Sequence, residues 1–208
     1  MIAWDTFTQA QWDAASQVDW DNATQFLIAS VKERIELLCL HTVQSIYGIG
    51  TVYRWDMRGL RDPTTGSAFD SNNNRISLHH LDAMVLAGDE VAIEGGQGGD
   101  TDSTTEKTLP IEVHLKIEQN DTDPASTSAL HNQWLMAIES AILTNPLMIE
   151  PGGNGERLAI DTRISATSIM PTEIDQREAI SAIQFEVTYQ HFRNDPAAGP
   201  GITHKASS

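Results

Sequence analysis

Apolar and polar residues alternate without a break over residues 111–118: Ile111, Val113, Leu115 and Ile117 against Glu112, His114, Lys116 and Glu118. Successive side chains of a strand point to opposite faces, so this segment predicts a strand with one buried and one wet face. The signature returns near the end of the chain, where Ile183, Phe185, Val187 and Tyr189 alternate with Gln184, Glu186, Thr188 and Gln190. A third strand is expected over 158–168, with Leu158, Ile160, Ile164 and Ala166 on one side. Further strand signals lie at about 50–58, 82–86 and 90–94, the last two read as hairpin-like and joined by Ala87-Gly88-Asp89. Two stretches follow the helical period instead. Ile28, Val31, Ile35 and Leu38 make a stripe within 22–41, with Asp21 or Asn22 as cap. Leu130, Trp134, Leu135, Ile138, Ala141 and Ile142 make another within 126–144, opened by Asp123 or Ser126 and closed by Asn145-Pro146.

Strands that alternate cleanly bury one face only, so both helices are expected on a single side of the sheet. The short link between the last two strands suits an antiparallel pair. The predicted architecture is α+β: a two-layer domain with an antiparallel or mixed β-sheet, helices packed on one face, an extended N-terminal arm and long loops. Its parts are an arm at 1–21, a single domain at 22–193 and a flexible tail at 194–208. Residues 59–74 collect Gly, Asp, Pro, Thr, Ser and Asn and read as a long surface loop. Residues 95–108 carry no apolar side chain and read as a flexible loop.

The arm has its own pattern. Trp4-Asp5, Trp12-Asp13 and Trp20-Asp21 each open a Trp-Asp-x-x-Ser/Thr-Gln unit, with a period of eight. An even period sets Trp4, Trp12 and Trp20 on one side of an extended chain. On a helix the same period drifts by about 80° per step, a broad stripe. Three tryptophans so close together are too much apolar surface to leave wet. Either they anchor a protein–protein contact with a neighbouring subunit, or they pack on their own domain.

Composition narrows the function. The 208 residues are 40% hydrophobic, with 14 Gly and 8 Pro, a globular profile. No apolar run approaches the length of a membrane span, and the N-terminus lacks a basic and then apolar leader, so neither a membrane helix nor a signal peptide is expected. The single cysteine, Cys39, excludes an intrachain disulfide and any zinc site of two or more thiolates, and reads as a small buried hydrophobe. Twenty-nine acids against 13 bases give a net charge of −16, and the bases are scattered singly. That disfavours a phosphate-gripping surface. It leaves open DNA that passes without adhering, beside the plain alternative of a soluble acidic protein.

Motifs of reaction chemistry are missing. Gly95-Gly96-Gln97-Gly98-Gly99 lacks the Gly-Lys-Ser/Thr ending of a phosphate loop, and Gly48-x-Gly50 is too short for a dinucleotide fingerprint. His79 and His80 are adjacent, so their rings diverge and do not suit one metal. Asp100, Asp102 and Glu106 lack the spacing of a calcium loop. Glu112 and Glu186 could serve as acid and base only across a cleft, and both fall on outward strand positions. No catalytic, cofactor-binding or metal-binding residue is assigned, and no cofactor or enzymatic activity is expected. A hydrolase using carboxylates and a histidine is the enzyme alternative.

The second half of the chain resembles a known family. Leu109-Pro110 introduces the strand Ile111-Glu112-Val113-His114-Leu115, an Asp-rich turn follows, and the helix then carries Ile138-Glu139-Ser140-Ala141-Ile142. A Gly-rich turn, a strand and a closing strand through Tyr189-Gln190-His191-Phe192 complete the order. This resembles the tail-terminator (tail-completion) proteins of long-tailed bacteriophages, over roughly residues 22–196. The resemblance implies a structural protein of the virion tail or neck, assembled in the host cytoplasm. It implies a hexameric ring that caps the tail tube, binds tube and head–tail connector proteins, and meets DNA only in transit through the lumen, with no membrane contact. A different neck or tail component, such as a head–tail joining or tube-related protein, is the nearest alternative.

Overall fold

The computed structural model describes residues 30–56, 59–62, 65, 67–93, 104–118, 124–150, 156–171 and 178–192. The arm at 1–21, residues 95–103 and the tail at 194–208 lie outside the described residues.

The chain runs α1 (Val31–Gln44), β1 (Val52–Asp56), β2 (Gly59–Arg61), β3 (Ala83–Ala87), β4 (Val91–Ala92), β5 (Thr104–Glu118), α2 (Pro124–Leu143), β6 (Asp161–Pro171) and β7 (Glu178–Phe192). One sheet takes all seven strands in the order β2-β1-β3-β5-β7-β6, and β4 lies beyond β3 along the same edge of β5, so β3 and β4 each pair with β5 and do not form the expected hairpin. β1 and β3 are parallel; every other pair is antiparallel. The sheet is mixed, the fold is α+β, and the last two strands pair antiparallel as their short link predicts.

β5 and β7 form the spine, paired without interruption from Thr104↔Phe192 to Glu118↔Glu178. Paired residues share a face, so the alternation on each strand adds up across the ladder. Leu109, Ile111, Val113, Leu115 and Ile117 of β5 and Ile183, Phe185, Val187 and Tyr189 of β7 are all buried. Onto them α1 lays Val31, Ile35, Leu38 and Cys39, and α2 lays Leu135, Ile138 and Ile142, in one continuous core. Both helices therefore cover the same face. Each large side chain so buried contributes about 1.5–3 kcal/mol.

Several expectations need correction. The segment 95–108 is not loop throughout: Thr104–Thr108 belong to β5, paired with residues 188–192. Ladder bonds are made by the backbone and need no apolar side chain, so a polar strand end can be held by its partner alone. Within 59–74, Gly59–Arg61 form β2, paired with β1 through Trp55↔Leu60. Gly59 adopts φ +115°, a conformation open to glycine, where the chain turns back from β1. Farther along, Phe69 bridges to Arg75, and the Asp70 carboxylate accepts from the backbone N–H groups of Asn72 and Asn74.

On β6 the phase also differs from expectation. Ile164 pairs with Phe185 but Ala166 pairs with Gln184, so a bulge lies between them. The extra residue swaps the faces, leaving Ala166 exposed on the side opposite Ile164. The described part of the first helix is capped by Ser30, whose hydroxyl accepts from the Glu33 N–H at 3.3 Å; Asp21 and Asn22 lie outside the described residues. Pro124 starts the described part of α2, with Asp123 outside it.

Candidate functional site

The chemistry closest to a reactive pair lies inside the core. His131 Nδ1 touches Ser181 Oγ, joining α2 to β7. A serine beside an imidazole is the start of a nucleophile–base arrangement. Here the two side chains are 2% and 0% exposed, so neither meets a substrate from solvent. No carboxylate is recorded on His131 Nε2, which is buried without a hydrogen-bond partner among the described residues. Burial holds the His131 pKa below the ordinary histidine value, favouring the neutral ring. The pair reads as a polar tie between helix and sheet.

Parity could have located it. His131 precedes Leu135, Ile138 and Ile142 on the α2 stripe, and Ser181 has the odd phase of Ile183 and Phe185. Neither is apolar, so a hydrophobic pattern alone does not mark them.

Charged ties hold the rim of the helix layer. Arg34 Nε donates to Glu150 at 2.9 Å, and its Nη2 reaches Glu156 at 2.7 Å. Arg54 on β1 donates to Glu36 on α1 at 2.9 and 2.8 Å and to Glu33 at 3.3 Å. Glu90 accepts from Lys107 and from the buried Tyr189 hydroxyl. Partial burial pushes the Glu90 pKa up, but Lys107 and Tyr189 outweigh it and hold the carboxyl below its ordinary value. Burial, then Glu90, pushes the Tyr189 phenol up. Cys39 is buried, and desolvation with the nearby Glu36 raises its thiol to about 12, which keeps it protonated and inert.

The opposite face of the sheet carries no helix among the described residues, and it is divided. Over β5, β7 and β6 it is polar. Glu112 meets His114 at 2.9 Å, Lys116 meets Glu118 at 3.2 Å and Arg163 meets Glu186 at 2.6 Å. Glu112 and Glu186 therefore belong to separate pairs and do not face each other across a cleft. Along the flank made by β1, β3 and β4 the same face is apolar. Register places Tyr53, itself buried, beside Met84, and Met84 opposite His114. Leu86 stands opposite Glu112 and Val91 opposite Thr108. Trp55 is 39% exposed, Val91 64% and Ile93 42%. At the carboxyl ends of β1 and β3 this strip opens into a mixed, largely charged cleft of about 380 Å³, where Trp55 and Leu86 meet Lys32 and Glu36 of α1, Arg54 and Asp89.

The remaining sequence candidates scatter. His80 Nδ1 accepts from the Glu118 N–H at 3.0 Å, whereas the His79 N–H donates to Asp82 at 2.8 Å. Glu106 accepts from Gln190 at 2.9 Å, and Asp100 and Asp102 lie outside the described residues. No cluster of three or more His, Cys, Asp or Glu converges to hold a metal among the described residues. No described helix is long and apolar enough to cross a membrane. Trp4, Trp12 and Trp20 lie outside the described residues.

No family model matches the chain, and no curated protein matches it. Among solved structures it is similar to a chain of the virion of a native gene transfer agent (GTA) particle. The two share 11% identity with a TM-score of 0.36, and the match covers 81% of this chain and 97% of that one.

Proposed function

We propose that this protein is a structural component of a phage-like virion, working as a tail terminator. In this reading copies assemble head-to-tail into a ring that caps the tail tube and meets the head connector, with DNA passing through the lumen. The observation that carries it is the divided open face: an apolar strip with Val91 and Ile93 exposed, on a sheet whose helices, among the described residues, lie on its other side only. An exposed apolar surface of that kind marks a contact surface. β6 adds a second opportunity, because it ends the sheet and one of its edges is unpaired among the described residues. The sequence resemblance supports the reading too, since the segments that carry it fall on β5, α2, β6 and β7 in the implied order. A net charge of −16 suits a channel from which DNA is repelled.

Trp4, Trp12 and Trp20 are the assembly anchors of this reading, laid onto the neighbouring subunit. Light scattering after gel filtration, with negative-stain images, tests it. Discrete oligomers and rings with a central opening are expected. Deleting residues 1–21 is expected to leave the domain folded by circular dichroism and to weaken those oligomers. A monomer at the highest attainable concentration, with no rings on the grid, overturns the reading.

A further inference from the structure

We propose that the apolar strip on the open face is the seat of the Trp4–Trp12–Trp20 segment of this polypeptide. The inference deepens the assembly reading and rests on it only for which copy supplies the segment.

Three observations carry it. The first is where the segment starts. Residues 1–29 precede Ser30, the cap of α1, and the first turn of that helix reaches the rim of the cleft into which the strip opens. Lys32 Nζ donates to the Gly88 carbonyl at 3.0 Å, and Lys32 shares the cleft with Trp55 and Leu86. The segment thus leaves the described fold on the helix-covered side, next to the cleft, and reaches the strip by passing round the carboxyl ends of β1 and β3, with 29 residues of reach. Twenty-nine extended residues span up to about 95 Å.

The second is chemical match. The strip is apolar where the rest of the open face is charged, and the segment supplies three tryptophans with no lysine or arginine. Large aromatics on an exposed apolar surface are the usual anchors of a protein contact.

The third is length. Met84 stands opposite His114, and the Ile93 N–H donates to the Glu106 carbonyl at 3.0 Å. From Glu106 to His114 is eight residues along β5, the same as the period of the tryptophan repeat. In extended chain both distances are about 26 Å. In the proposed seat the segment would bind as an extended strand, which would set two successive tryptophans at the two ends of the strip.

The test uses the full chain with a photo-reactive benzoylphenylalanine at position 91, where the native valine is exposed. After irradiation, peptide mapping is expected to find the cross-link within residues 1–29. Cross-links confined to residues 194–208, to position 91 of a second copy or to no segment overturn the proposal. Mixing isotopically heavy and light copies before irradiation identifies the owner. Heavy–light products place the segment on a neighbouring subunit. Same-isotope products alone keep the seat and remove the exchanged arm, so the two failures are separable. A second readout avoids the reagent. Chymotrypsin cleaves after aromatic residues, and Ile93→Glu is expected to speed cleavage within residues 4–29 about tenfold. Circular dichroism should be unchanged, because Ile93 lies outside the core. Equal cleavage rates in the two proteins also overturn the proposal.

Discussion

Neighbouring residues of β7 live in two different solvents. Phe185 and Val187 face the helices and are fully buried, while Gln184 and Glu186 face the open side and keep part of their surface wet. The backbone is common to both, so the contrast isolates what side chains contribute on each face. On the covered face stability comes from apolar area and close packing. On the open face of β7 and its neighbours it comes from ion pairs in contact with water, which contribute little. The apolar flank over β3 and β4 belongs to neither regime. It has the composition of a covered face and the exposure of an open one, as a surface awaiting a partner does.

The largest effect that sharpens this contrast is a pair of truncations one residue apart. Phe185→Ala removes a side chain with 0% exposure from the centre of the core. It is expected to cost about 3–5 kcal/mol, through lost transfer energy and the cavity left behind. Gln184→Ala is expected to change stability by less than about 0.5 kcal/mol. Denaturant midpoints of the two variants measure both. Similar losses would mean that something also covers the open face over β7.

That alternation made much of the fold legible. The buried rows of β5 and β7, and the α2 stripe through Leu135, Ile138 and Ile142, follow from period alone. The phase of β6 does not, because the shift between Ile164 and Ala166 is set by pairing with β7 and has no one-dimensional signal. The polar start of β5 escaped for a related reason, since its partner strand lies far along the chain. The apolar strip could not be read at all. Val91, Leu86 and Trp55 are unremarkable singly, and only the order of β1, β3 and β4 beside β5 brings them together.

A pH experiment breaks the contrast from the other side, because one titrating group is sealed in the covered layer. Burial depresses the pKa of His131 in the folded protein, whereas in the unfolded chain it returns to about 6.5. The unfolded state therefore takes up this proton first as the pH falls. The contribution is fully present above about pH 6.5 and is lost as the pH drops toward the folded value. Unfolding midpoints are expected to decline from about pH 7.5 to about pH 5, and to decline less in His131→Gln, which cannot charge. Glutamine retains a polar group for Ser181, so the comparison isolates the proton. Equal declines would show that the imidazole reaches water in the native state.

The smallest effect is the most diagnostic for the open face. Arg163 on β6 keeps 72% of its side chain exposed and donates to Glu186 at 2.9 and 2.6 Å. Hydrogen bonding and attraction to Glu186 raise its pKa, but a guanidinium is charged throughout the working range in any case. Water and salt already compete with the pair, so Arg163→Ala is expected to leave the denaturation midpoint of dilute protein unchanged within error. A measurable loss in dilute protein would require that face to be screened from solvent. A loss appearing only as the protein is concentrated would place Arg163 at a contact between copies, because association stabilises the folded state by mass action.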